Sequence, residues 1–151
     1  MSRSKPRLIT SFGLVLLPIC GALAFFFFNF RMVQVTGDSM SPTLWNEERL
    51  LMTSAYWLVG DVKVGDVVVL KDPERGVYIK RVYAMPGDTV EPYLAPRRGW
   101  SLRQGDFKVP PGTIYVLGDN RPASEDSRDL GPIPREELLG KVLRWSWEAA
   151  P

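Results

Sequence analysis

The 151 residues contain no histidine, and that absence removes a large share of hydrolytic chemistry. No Ser-His-Asp triad, no histidine-assisted thiol and no histidine-containing zinc site can form. There is one cysteine, Cys20, so neither an intramolecular disulfide nor a cysteine cluster for a metal is available. Excess charge is scarce too. Nineteen Lys and Arg stand against 17 Asp and Glu, a net +2, and this supplies no basic field for nucleic acid. Internal repeats are missing. A serine nucleophile in such a chain would need Lys, Asp, Glu or Tyr as its base.

One long apolar run is present. Residues 8–30 carry no charge. At a rise of about 1.5 Å per residue, that run is long enough to cross a hydrocarbon core of about 30 Å. Pro18 and Gly21 are tolerated in such helices. Arg3, Lys5 and Arg7 precede it with no acid, which predicts a cytoplasmic N-terminus. A cleavable signal peptide is the rival. Ala22-Leu23-Ala24 resembles a cleavage site, but Phe25 to Phe28 follow it directly and the apolar run does not end there. Leu17-Pro18-Ile19-Cys20 lacks the small residues of a lipoprotein box. The expectation is an uncleaved anchor: residues 1–7 in the cytoplasm, 8–30 in the membrane, and 31–151 as one domain outside.

From Arg31 onward the pattern is that of a mainly β domain. Strands are predicted over 32–35, 49–53, 67–70, 77–84, 113–117 and 142–147. Turns are predicted over 61–66, 71–76 and 86–88. A short helix is predicted over 134–139, with Gly140 as its stop. Residues 92–112, rich in Pro, Gly and Arg, read as a surface loop or hairpin.

Three stretches concentrate polar chemistry. The first is Gly37-Asp38-Ser39-Met40-Ser41-Pro42-Thr43-Leu44. Turn-forming residues surround Ser39, and Pro42 restricts the backbone after it. Such a serine either presents its hydroxyl for chemistry or satisfies local backbone donors. The second is the strand carrying Lys80. Alternation puts Tyr78, Lys80, Val82 and Ala84 on one face. Lys80 is then either an edge residue reaching water or a buried amine of lowered pKa, able to take a proton from a serine. Arg81 points to the other face and stays protonated. The third runs from Gly118 through Asp119, Asn120 and Arg121 to Gly131. It is a solvated Asx-rich loop, or a loop in which Ser124 orients the lysine amine and Asp126 pairs with Arg128.

Taken together, these stretches resemble the type I signal peptidases, a family of membrane-anchored Ser/Lys proteases. Residues 37–44 are similar to the family's nucleophile box. Tyr78-Ile79-Lys80-Arg81-Val82-Tyr83-Ala84-Met85-Pro86-Gly87-Asp88 is similar to its lysine box. Gly118-Asp119-Asn120-Arg121, with Ser124 to Arg128 and Gly131, is similar to its final box. Their order and the preceding anchor agree with the family over about residues 8–147.

The resemblance implies a compact all-β catalytic domain behind one transmembrane helix. It implies Ser39 as nucleophile and Lys80 as general base. Ser124 would orient the lysine, with Asp126 and Arg128 as a structural pair. The Ser39 amide would stabilise the oxyanion. Gly37 stands where some members carry an oxyanion-hole serine, so Gly37→Ser is expected to be tolerated unless the glycine holds a positive φ. Met40, beside the nucleophile, would lie near the membrane-facing side. The short span between the lysine and final boxes implies that the accessory domain of larger members is missing.

The implied partners are exported preproteins and the lipid bilayer, with no nucleic acid, metal or organic cofactor. Trp57, Leu58 and Val59 are expected either at the bilayer interface or in the core. The rival functions are a pilin-type peptidase, a self-cleaving repressor-type protease and a non-catalytic membrane-anchored β binding module. A self-cleaving repressor would carry a DNA-binding domain before the serine, where this chain has an apolar run.

Overall fold

The computed structural model describes residues 8–143, with side chains from residue 14 onward. Helix α1 runs Leu8–Asn29 and passes directly into β1, Phe30–Gln34. Among the described residues no helix is long and apolar enough to cross a membrane.

Beyond α1 the chain is mainly β. The strands are β2 (Arg49–Thr53), β3 (Val67–Asp72), β4 (Gly76–Ala84), β5 (Thr89–Val90), β6 (Phe107–Lys108), β7 (Thr113–Leu117), β8 (Ile133–Pro134) and β9 (Leu138–Leu143). Two four-residue helices are added, α2 (Tyr56–Val59) and α3 (Ser127–Leu130). Seven strands form one sheet in the order β1-β2-β9-β3-β4-β7-β8, and β5 pairs with β6 in a separate ribbon. Every strand pairing is antiparallel.

Strand β3 reads Val67-Val68-Val69-Leu70 and is buried on both faces, as a run of β-branched residues in a central strand should be. Val67 and Val69 pack with Val35, Met40, Leu50, Met52, Ile79 and Val142. Val68 and Leu70 pack on the opposite side with Val82, Ile114, Val116 and Ile133. Val35 follows β1 and Ile79 lies in β4, with three strands between them in the sheet order. Their meeting in one cluster means that the sheet curls strongly on itself. A third cluster, Ala84, Val90, Leu94, Val109, Tyr115 and Leu117, fixes the β5–β6 ribbon, and the Tyr115 hydroxyl donates to Leu94 O at 2.7 Å.

Several expectations need correction. Residues 134–139 do not form a helix. A 3₁₀ turn at Arg135–Glu137 leads into β9, and Gly140 lies inside that strand. Local helix propensity in Arg135-Glu136-Glu137-Leu138-Leu139 gives way to sheet pairing with β2 and β3. Gly140 is glycine because a Cβ there would stand 2.7 Å from Thr53 O. The closing strand therefore begins at Leu138, and residues 144–147 of the expected strand lie outside the described residues. Ala84 does not share the Lys80 face. The register shifts between Val82 and Ala84, and Ala84 joins the third cluster. Trp57 and Leu58 are not core, being 75% and 53% exposed, and Trp57 meets Phe25 of α1 edge-on at 5.8 Å. Met40 is buried in the first cluster.

Candidate active site

The curl of the sheet brings the three polar stretches to one place. Ser39 sits in the turn that follows β1, half-buried. Lys80 projects from β4 and is 5% exposed. Lys80 Nζ lies 2.8 Å from Ser39 Oγ, a hydrogen bond between residues 41 apart in sequence. The Tyr78 ring, two residues along the same strand, lies 5.8 Å from Nζ. Burial pushes the lysine amine below its usual value, and the negative charges of Asp126 and Glu125 oppose that shift without cancelling it. A hydroxyl and a desolvated amine in contact make a geometry in which the amine can take the hydroxyl's proton.

The Ser39 turn is held from two sides. Gly37 N donates to Asn46 Oδ1 at 2.9 Å. Asn120 Nδ2 donates to Asp38 O at 3.1 Å, and Asn120 N donates to Ser39 O at 3.0 Å. Among the described residues, the Ser39 amide donates to no protein group. Gly37 has φ +88°, in the region that favours glycine. Its amide is already engaged by Asn46. The proviso attached to Gly37→Ser is thus met, and tolerance of serine there is no longer expected.

A cavity of about 100 Å³ opens beside the pair, lined by residues 33–36, Ser39, Met40 and 77–80. Its two walls are extended chain. Residues 76–80 of β4 pair with β3 on one side, while β7 begins to pair only at Arg81. The outer edge of β1 carries no strand among the described residues. The groove therefore offers unpaired strand edges on both sides.

Behind the lysine lies a buried ion pair. Asp126 is 0% exposed and Arg128 is 8% exposed. Arg128 Nε and Nη2 reach the two Asp126 oxygens at 2.8 and 3.0 Å. Asp126 also accepts the amides of Gly118 at 3.0 Å and Arg128 at 3.2 Å. Burial alone would raise its carboxyl pKa. The Arg128 and Gly118 hydrogen bonds outweigh that and leave it below the usual carboxylate value.

On the other face of β4, Arg81 grips Asp119 through two bonds of 2.8 and 2.6 Å. Gly118 stands between these two pairs. A Cβ on it would lie 2.1 Å from Ser124 Oγ and 2.6 Å from Ser39 O. Ser124 is buried near the site, with its hydroxyl beside the Asp126 carboxylate but in no well-formed hydrogen bond. No hydrogen bond joins Ser124 to Lys80 in this structure.

The sequence matches the family described as signal peptidase, peptidase S26, over residues 8–94 and 91–147. The chain belongs to that family. Signal peptidase I of Bacillus licheniformis is 38% identical over 152 residues, covering 83% of this chain and 81% of that protein. Signal peptidase I S of Bacillus subtilis (strain 168) is 36% identical over 138 residues, covering 75% of this chain and 74% of that protein. A crystal structure of a signal peptidase I from Enterococcus faecalis V583 covers 56% of this chain and 97% of its own, at 30% identity and TM-score 0.41.

Within this S26 member, sequence reasoning identified Ser39, Lys80, Ser124, Asp126 and Arg128 as candidates, and the structure brings all five to one region. It missed three contributions: Asn120 and Asn46 as clamps on the turn, and Gly118 as the point of close approach. Asn120 and Gly118 stood inside a quoted motif, but nothing local to them signals a partner more than 75 residues earlier.

Proposed function

We propose that this chain is a signal peptidase I, an endopeptidase that removes N-terminal signal peptides from exported preproteins through an acyl-enzyme on Ser39. One observation carries the reading: the 2.8 Å contact between Ser39 Oγ and a buried Lys80 Nζ of lowered pKa.

The substrate backbone enters extended between residues 33–36 and 77–80 and adds its hydrogen bonds to the two open strand edges. A groove this small favours small side chains beside the scissile bond. Neutral Lys80 takes the Ser39 proton as Oγ attacks the carbonyl carbon. The negative charge that develops on the carbonyl oxygen is met by the free Ser39 amide. The resulting lysine ammonium protonates the departing amine. Lys80, neutral again, then deprotonates a water that attacks the acyl ester. Its proton returns to Ser39 Oγ as the signal peptide carboxylate leaves. Asp126 and Arg128 hold the loop behind the amine, with Ser124 packed against Gly118 beside Ser39.

The proposal includes the topology. Residues 8–30 form a single membrane anchor, 1–7 lie in the cytoplasm, and 31–151 form the catalytic domain outside it. The charge-free run, the cations before it and the exposed Trp57 and Leu58 beside its outer end support that arrangement.

The test is incubation of the detergent-purified full chain with a preprotein. Cleavage at the signal sequence is expected, with none from Ser39→Ala. Cleavage that survives Ser39→Ala would remove the serine from the reaction. Protease added to cells stripped of any outer membrane should digest residues 31–151, and protection until lysis would reverse the orientation.

A further inference from the structure

We propose that Asn120 is the positioning residue that aims the oxyanion donor. The inference rests on the function proposed above. It starts from the geometry of one peptide unit. Asp38 C=O and Ser39 N–H belong to the same planar group, and the cis bond recorded in the chain is at Ser41-Pro42, not here. In a trans peptide the carbonyl and the N–H point in opposite directions. Whatever fixes the direction of Asp38 O therefore fixes the direction of Ser39 N–H.

Two donors hold Asp38 O. One is local, Ser41 N at 3.1 Å within the turn. The other is Asn120 Nδ2 at 3.1 Å, from a residue 82 positions away. Asn120 also holds the following peptide, through its own N–H to Ser39 O at 3.0 Å. One residue thus grips two consecutive carbonyls, on either side of the nucleophile's Cα. The Ser39 N–H is left pointing away from Asp38 O, with no protein acceptor among the described residues.

Asn120 is itself well anchored. It lies three residues beyond β7, which pairs with β4 at Arg81–Leu117. Its neighbour Asp119 is locked to Arg81, the residue after Lys80. The side chain that aims the donor is therefore tied to the strand that carries the base. An acceptor at residue 120 would face Asp38 O with a like dipole, so the position needs a donor of amide length.

The experiment uses the full chain in detergent, with a cleavable preprotein and a peptide aldehyde. The aldehyde carbon is attacked by Ser39 Oγ, and the resulting hemiacetal oxygen sits where the oxyanion forms. Losing one oxyanion donor outright costs about 10²–10³ in rate, so misaiming it should lower kcat by roughly 10- to 100-fold. Asn120→Ala should show this loss with KM nearly unchanged and with aldehyde affinity falling in parallel. Asn120→Asp, the same size but an acceptor, should fall at least as far. The rising limb of the pH profile should not move in Asn120→Ala, because no charge near Lys80 changes.

Full kcat in Asn120→Ala overturns the proposal. So does a kcat loss with aldehyde affinity intact, or a loss that tracks unfolding in both variants. An inactive wild type overturns the parent reading and this one with it, whereas an active wild type with unaffected variants overturns this one alone.

Discussion

Replacing Asp126 by alanine should cost this domain about 3–5 kcal/mol, the usual penalty for breaking a buried pair by removing one partner. The structure explains why the penalty should be large. Four hydrogen bonds end on this carboxylate: two from the Arg128 side chain and one each from the amides of Gly118 and Arg128. Without it, Arg128 is a cation 8% exposed, left with the carbonyls of Arg121 at 2.7 Å and Ser124 at 3.3 Å. The Gly118 amide loses its acceptor as well, which costs about 1–3 kcal/mol for a buried group.

Against a typical total of about 5–15 kcal/mol, the loss should lower the thermal unfolding midpoint by roughly 6–20 °C. The assay is denaturant and thermal unfolding of the detergent-solubilised chain, followed by tryptophan fluorescence, for Asp126→Ala, Arg128→Met and the double variant. The double should be well short of the sum, because removing both partners leaves no stranded charge. A loss below about 1 kcal/mol in Asp126→Ala, or strict additivity in the double, would refute the buried-pair reasoning. The pH dependence has a definite sign. The folded-state pKa of Asp126 is depressed, so its contribution is fully present above the unfolded carboxylate value. It is lost as pH falls below that value and through the folded one.

Four further outcomes are expected. The kcat/KM profile should rise with pH at an apparent pKa below that of free lysine, and a rising limb at the free-lysine value would show Lys80 to be solvated in the free enzyme. Lys80→Arg should be inactive in the preprotein assay while keeping its unfolding midpoint, since guanidinium does not deprotonate near neutral pH. Gly118→Ala should lose most activity, because its Cβ would press on Ser39 O and Ser124 together; retained kcat would mean that the two loops separate freely. Gly37→Ala and Gly37→Ser should be destabilised equally, by about 1–3 kcal/mol from the φ of +88°, and any difference in kcat between them isolates the hydroxyl.

Much of the site was legible because its chemistry is written in residue types. A chain without histidine narrows the base to a few candidates, and a lysine inside an apolar strand is conspicuous. The strand over 77–84 was legible through its β-branched and aromatic residues. The segment after Pro134 was not, because Glu136 to Leu139 favour a helix locally and only pairing with β2 and β3 overrides that preference. The bulge at Val82–Ala84 was hidden for a similar reason: it depends on β7, some 30 residues later. Asn120 was the hardest to see. An Asn in an Asx-rich loop looks like local turn chemistry, and its role exists only once the curl of the sheet presents two carbonyls to it.

The sheet order gives the chain a timetable. The Ser39 turn belongs to the β1–β2 hairpin, the lysine to the β3–β4 hairpin, and no strand pairing joins the two hairpins directly. Strand β9 lies between them and pairs with both, through Met52–Val142 on one side and Val68–Lys141 on the other. A chain delivered N-terminus first therefore has no strand pairing between the hairpin of Ser39 and that of Lys80 until residues 138–143 arrive. The register of the hydroxyl against the amine is thus set by a strand that carries neither of them, and a change in β9 would be felt at both.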